Sequence, residues 1–527
     1  MRLPVAALAL TLVLAGCAGG PRDGPSGPGG FDQQLDVEGA SRHELRIPSF
    51  DGTQVAAVVH VPQAGGAGAT DARWPTVVFL HGWGGSKAAW EGQTVPGQPV
   101  AQAAPGTNVL ADYARAGFLA VAYDARGFGD SGGQAGVAGP EEVQDLQAVI
   151  RHVESRFPTT GMTGVAGVSY GAGQALLALV HVPEVETAVA SYGWSDLYEG
   201  LLPGDVPKAE WAQGLYLMGV TGSQGDVQPF VHEWYAQLYT RSDLASVREA
   251  MAKRSAGEAL ARTAQPLLVC QGMQESLFPQ AHRMQDRAGP TRTIISHGGH
   301  GSGDCPEARL AWFQHHLQGY DTGVDAWPEL RTQDAAGAHS VDYARWPTAA
   351  AQTFYLRAPD LAAEPSPATF RVRQTVPTPV SEPSVLWDRV GQPYPAIPPA
   401  LREDPAGVLF ALPPLQAAGT LLGTPRVLLE HDAGDAPYQV AASLYLERDG
   451  RSQLVSRGAA ADLHGATLAD GALLEVELTW TKLALQPGDR LVLKVASNDP
   501  AVFMPLLQPY DVTFTGASRL ELPMLAP

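Results

Sequence analysis

The chain has 527 residues, 45% hydrophobic and 17% charged, enough to bury a sizeable core in about two to four domains. Its 54 acidic against 35 basic side chains leave a net charge of -19, which excludes a phosphate-binding face for nucleic acid or anionic lipid, because such faces need Lys and Arg patches. The three cysteines and 14 histidines show no metal-ligand spacing, so neither a metal nor an organic cofactor is expected.

Residues 1–17 carry Arg2, an apolar run from Val5 to Leu14, and then Leu14-Ala15-Gly16-Cys17. The run is too short to span a bilayer and has the layout of a secretory signal. The small residues before Cys17 resemble a bacterial lipobox. That resemblance implies an exported protein lipidated at Cys17 and anchored at the cell surface or in the periplasm, with an ordinary signal peptide or a buried first strand as the alternatives. Residues 18–31 are rich in Gly and Pro and read as a flexible tether.

His43 to Phe50 and Thr53 to Val61 flank Asp51-Gly52 and predict a β-hairpin. Pro75 to Leu80 is a near-continuous apolar strand of the parallel kind, opening into His81-Gly82-Trp83-Gly84-Gly85-Ser86. Glycines there let backbone N–H groups face a ligand, so the N–H of Trp83 is a candidate oxyanion donor. Phe118 to Tyr123 is a further buried strand. In the loop that follows it, Asp124, Arg126 and Asp130 read as a structural ion-pair network rather than as catalytic groups. Glu141 to Arg156 has helical spacing.

Val165-Ala166-Gly167-Val168-Ser169-Tyr170-Gly171 then ends a strand in Gly-x-Ser-x-Gly and passes straight into a helix former, Gly173 to Leu179. That context is what a nucleophile elbow requires, so Ser169 is the candidate nucleophile and the N–H of Tyr170 the second oxyanion donor. A serine needs a base, and the base needs an orienting acid. In α/β-hydrolases these follow later in the chain, acid before histidine. Pro266 to Gly272 reads as a buried strand emptying into Met273-Gln274-Glu275. Thr291 to Ser296 reads as the next, ending in His297-Gly298-Gly299-His300-Gly301. Glu275 is the candidate acid with Asp196 as fallback, and His300, on a glycine-flanked tip, is preferred to His297 as the base. His315 and His316 read as surface or packing residues.

Residues 197–262 interrupt the strand and helix rhythm. Val231 to Tyr239 and Leu244 to Arg262 predict amphipathic helices of a cap, whose Trp194, Trp211, Tyr216, Phe230, Trp234 and Tyr235 are candidates to line an apolar pocket. With Cys17 assigned to lipid, Cys270 and Cys305 are left either to pair or to stand as separate thiols. The hydrolase core is assigned to 32–196 and 263–325, and 326–350 reads as linker. From 351 to 527 short alternating runs recur between turns, at 353–356, 426–429, 439–446, 473–483, 490–496 and 511–514, and argue a β-sandwich or jelly roll.

Taken together, the His81 to Ser86 loop, the Asp124 to Gly133 loop, Gly167 to Gly171, Ser195-Asp196-Leu197-Tyr198, Gly272 to Pro279 and Leu485-Gln486-Pro487-Gly488-Asp489-Arg490-Leu491 resemble the serine hydrolases grouped with X-Pro dipeptidyl-peptidases and cocaine esterase. The resemblance implies an α/β-hydrolase core with a helical cap and a C-terminal galactose-binding-like jelly roll. It also implies cleavage of an amide or ester through an acyl-enzyme, without cofactor, on a peptide or small ester substrate. Two features depart from the family: Glu275 stands where an Asp is usual, and Trp83 stands where cocaine-esterase-like members place a tyrosine. An X-Pro dipeptidyl-peptidase needs a carboxylate for the substrate amine, for which Glu199, Asp205, Glu210 and Glu233 are candidates. A small-molecule esterase or acylase is the alternative, and a non-catalytic surface binding lipoprotein the alternative outside enzymes.

Overall fold

The computed structural model describes residues 34–37, 39–63, 72–93, 108–375, 396–397, 399, 407–468, 472–499 and 502–525. The signal segment with Cys17 and the tether to residue 31 lie outside the described residues.

The hairpin forms as β2 (Ala40–Pro48) and β3 (Gln54–Pro62), extended outward by β1 (Gln34–Val37). Then come β4 (Trp74–Leu80), α1 (Val109–Arg115), β5 (Leu119–Tyr123), α2 (Pro140–Arg156), β6 (Thr159–Val168), α3 (Tyr170–His181) and β7 (Val185–Ser191). After the cap, the core resumes with β8 (Leu267–Gly272), β9 (Thr291–Ser296), a helix over Pro306–Gln318, β10 (Leu330–Asp334) and β11 (Gly337–Tyr343). The strands form one sheet in the order β1-β2-β3-β5-β4-β6-β7-β8-β9-β10-β11. From β5 to β10 neighbouring strands are parallel. Val77, Val78 and Phe79, like Leu119 to Ala122, are wholly buried, as strands covered by helices on both faces must be.

The cap comprises α4 (Leu197–Leu201), α5 (Ala209–Gly222), α6 (Pro229–Thr240), α7 (Leu244–Ala252) and α8 (Gly257–Ala261), between β7 and β8. The helix expected over 244–262 is thus two, parted at Lys253–Ala256, where Arg254 turns inward to lay its guanidinium over Phe230 and Trp234.

Residues 326–350 are not a linker. They hold β10 and β11, an antiparallel pair that extends the core sheet at its edge. Their polar composition has two physical sources. One face meets solvent and carries the Arg331–Asp342 pair, and the buried Asp334 is held by Lys482 from the C-terminal domain at 2.9 Å. That domain, from Ala350 onward, is built on a 13-stranded sheet among the described residues. The run 473–483 divides into Leu473–Glu477 and Thr481–Leu485 around Trp480. The turn after Leu485 is pinned by Asp489, which accepts from the Gln486 N–H at 2.7 Å and from Arg448.

Candidate active site

Ser169 lies between β6 and α3 with φ 52° and ψ -113°, a conformation costly for a side chain bearing Cβ. The turn is tight because its glycines have no Cβ. One on Gly167 would sit 2.0 Å from Gly171 O, and one on Gly171 would sit 2.2 Å from Leu80 O. Side chains there would push the helix off the sheet. As the first residue of α3, Tyr170 has an N–H with no partner inside the helix.

Past the ends of β8 and β9, Glu275 and His300 complete a line with Ser169. His300 Nε2 is 3.1 Å from Ser169 Oγ, and Nδ1 is 2.8 and 3.0 Å from the two Glu275 oxygens. The carboxylate is fully buried and also accepts from the N–H groups of Leu277 and Phe278 at 2.8 and 3.1 Å. These bonds fix its orientation, with the second oxygen 2.8 Å from the imidazole Nδ1. With Nδ1–H donated to the carboxylate, Nε2 is the acceptor facing the serine hydroxyl. Asp196 lies elsewhere: it caps α4, accepting from the Glu199 N–H at 3.0 Å. His297 is held by Asp334 O at 2.8 Å, behind the line rather than in it.

The surroundings of His300 contain features that the sequence does not signal. Tyr192 and Trp211 set their rings edge-on to the imidazole, at 4.9 and 5.2 Å between centroids. Trp211 is itself fixed by donating its ring N–H to Ser276 Oγ at 2.8 Å. A strand-end tyrosine and a cap tryptophan meet only once the chain is folded, and spacing gives no hint of it. His81 is likewise structural. Its Nδ1–H donates to Gly82 O at 2.8 Å and its Nε2 accepts from Ala125 N–H at 3.0 Å, so the neutral ring joins two loops behind the elbow. The second of these loops is secured as its charges suggest. Lys87 bridges Asp124 and Asp130 at 2.7 and 2.6 Å, and Arg126 forks onto Asp145 with both bonds at 2.7 Å.

Burial lowers the pKa of His81, and burial with the neighbouring Arg283 brings that of His282 down from 6.5 to about 3. Both rings are therefore neutral in the folded chain and take up protons on unfolding below 6.5. The stability they contribute is present above that pH and is lost as pH falls from there toward the folded value. The melting temperature is expected to drop between about pH 7 and 4.5, and to drop less in His282→Gln. Equal slopes for the two proteins would show that His282 is not one of the groups responsible.

A cavity opens onto Ser169. Tyr170, Trp83, Trp194, Leu215, Trp234 and Phe278 are among its walls. Trp83 is anchored to the cap by its ring N–H on Leu215 O at 2.7 Å, and its ring packs on Tyr170 at 5.2 Å. Of the cap aromatics, Trp194, Tyr216, Trp234 and Tyr235 line the cavity, Trp211 lies against His300, and Phe230 packs under Arg254. Of the candidate amine-binding carboxylates, Glu199, Asp205 and Glu233 are not on its described wall. Arg248 holds Glu199 at 3.2 Å and Asp205 at 2.7 Å, and Glu233 is exposed. The side chain of Glu210 lies outside the described residues. Cys270 and Cys305 are joined as a disulfide.

A serine on a strained elbow, an imidazole against its hydroxyl and a buried carboxylate behind the imidazole, at the C-terminal edge of a largely parallel sheet, define a serine hydrolase of the α/β-hydrolase class. The sequence profile of the X-Pro dipeptidyl-peptidase (S15 family) matches residues 51–302, and that of the X-Pro dipeptidyl-peptidase C-terminal non-catalytic domain matches residues 322–519. The chain belongs to this family. Three solved structures share its fold along nearly their whole length, each at 14% identity. A CocE/NonD family hydrolase from Staphylococcus aureus has a TM-score of 0.67, covering 92% of this chain and 94% of the other. An aminopeptidase from a marine sediment Thaumarchaeota archaeon has 0.70, covering 93% and 97%. An alpha-amino acid ester hydrolase has 0.67, covering 96% and 100%. No curated protein matches the sequence.

Proposed function

We propose that Ser169 is the nucleophile, His300 the general base, Glu275 the group that orients it, and the N–H groups of Trp83 and Tyr170 the oxyanion donors. His300 Nε2 takes the proton of Ser169 Oγ as that oxygen attacks the carbonyl carbon. Glu275 stabilises the imidazolium, and the proton is handed to the leaving oxygen or nitrogen. Water then repeats the sequence against the acyl-enzyme and frees the serine.

The observation that carries the substrate reading is the cavity at Ser169, whose described lining is apolar and aromatic and includes no carboxylate. We infer a bulky, uncharged acyl group carried by an ester or an activated amide. A prolyl ring is one such group, and the family favours it, so the Xaa-Pro reading differs only in requiring a free amine on the residue before the proline. Turnover of alanyl-prolyl p-nitroanilide, its N-acetylated form and p-nitrophenyl phenylacetate separates the two. With no carboxylate among the described residues of the wall, the blocked and free anilides are expected within about tenfold in kcat/KM, and the aryl ester above both. A free-amine preference of about a hundredfold or more would establish the peptidase and overturn the uncharged-acyl reading.

The cavity also makes a size prediction. Val231→Trp fills it and is expected to lower kcat/KM for the phenylacetyl ester by about 10- to 100-fold while sparing the acetyl ester. Equal losses for both esters would place the acyl group elsewhere.

Export with a lipid anchor at Cys17 is part of the same proposal. It is supported by the signal-like composition of residues 1–17 and by the Cys270–Cys305 cross-link, a bond that persists in oxidising compartments. Metabolic labelling with a radioactive fatty acid should mark the full chain and not Cys17→Ser.

A further inference from the structure

The segment closed by Cys270 and Cys305 contains two of the three residues of the catalytic line. Glu275 stands five residues after Cys270, and His300 five residues before Cys305. Cys270 is in β8, and Cys305 is the residue at which the helix Pro306–Gln318 begins. The cross-link therefore ties the strand that delivers the acid to the element into which the base loop returns.

The base loop needs such a tie. Its first part is held by its own backbone. Met273 N–H donates to Ser296 O at 2.7 Å and Gln274 N–H to Gly298 O at 2.8 Å, while the Gln274 side chain accepts from Gly298 N–H at 2.5 Å. Gly272 lies so close beneath that a Cβ there would be 2.4 Å from Gly299 O. From Gly299 onward the chain is rich in glycine: Gly301 has φ 93° and open space around it, and only at Gly303, where a Cβ would be 2.4 Å from Gln271 C, does the loop pack on β8 again. His300 sits in this stretch. Beyond it the loop is anchored at Asp304, which accepts from Ser191 Oγ at 2.9 Å and from Arg309 at 2.9 Å, and at the disulfide itself.

We propose that the Cys270–Cys305 disulfide is a positioning clasp: it holds the glycine-rich base loop on the acid strand, and the turnover rate depends on its being oxidised. This rests on the assignment of Ser169, His300 and Glu275 made above. Both cysteines are buried, Cys305 less deeply than Cys270. A dithiol opens the bond by thiolate attack at Cys305 Sγ, which expels Cys270 as a thiolate. Its second thiol then closes on the first and releases Cys305 as a thiolate. Two electrons pass to the protein, and the reductant leaves as a cyclic disulfide. A chain still in a reducing compartment is then a slow enzyme, and it reaches full rate where the bond forms.

The test treats the full native chain with dithiothreitol, confirms by thiol titration that two new thiols appear, removes the reductant under argon, and measures kcat and KM with p-nitrophenyl phenylacetate. Cys270→Ala/Cys305→Ala is measured in parallel. The expected result is a fall in kcat of about tenfold or more, with KM within about twofold, in both the reduced native chain and the double variant, and no response of the double variant to reductant. In a Glu275→Ala background the same reduction should change kcat by less than about twofold, because the contact that the clasp protects is already gone. Unchanged kcat in the reduced chain would overturn the proposal, as would equal losses in the two backgrounds. Loss of the folded far-UV signal on reduction would also overturn it, since the cross-link would then serve the whole fold. Turnover that survives in Ser169→Ala would instead point to a failure of the site assignment.

Discussion

Ser169→Ala is expected to lower kcat by about 10⁵- to 10⁶-fold on ester and anilide alike, with KM changed little and the melting temperature unchanged or raised. The size of the effect follows from the geometry. The imidazole lies 3.1 Å from Ser169 Oγ. Removing the hydroxyl also removes the group for which the elbow holds its φ of 52°, yet alanine can adopt that turn no worse than serine. A stopped assay with long incubation checks the residual rate against the uncatalysed one. A loss of less than about a hundredfold would mean that water or another side chain attacks the carbonyl.

Glu275→Gln is expected to cost about 10⁴-fold in kcat, because an amide presents an N–H where the imidazole must donate its own, and the ring is driven to the wrong tautomer or orientation. The substitution keeps shape and volume. The two N–H donors from Leu277 and Phe278 can still find the amide oxygen, so folding should be preserved. Asp196→Asn, which touches only the cap of α4, should stay within about tenfold of the native kcat. The opposite ranking of the two variants would transfer the acid role to Asp196.

How much of this was legible in the sequence depended on whether the cause was local. The elbow was legible because a turn so tight needs glycine at 167 and 171, and the helix starts at once after the serine. The parallel strands showed as apolar runs because both faces are covered. The edge strands β10 and β11 read as linker in sequence because their buried polar group, Asp334, is paired with Lys482, some 150 residues away. The long cap helix α5 went unread because its glycines, Gly214, Gly219 and Gly222, dilute the helical pattern. Of these, Gly219 and Gly222 are small so that Trp83 and the Gly84 backbone can pack on the helix. The rings of Tyr192 and Trp211 around His300 belong to the same kind: contacts made by the fold between segments that carry no mutual signal.

The claim on which the rest depends is that catalysis passes through an acyl group carried by Ser169. Mixing the native chain with excess p-nitrophenyl phenylacetate, quenching in acid within the first turnover and mapping peptides by mass measures that directly. The account predicts a burst of p-nitrophenol approaching one per chain and a phenylacetyl adduct on the peptide containing Ser169, both absent in Ser169→Ala. A full burst with the adduct on another residue, or turnover with no covalent adduct at any quench time, would contradict it.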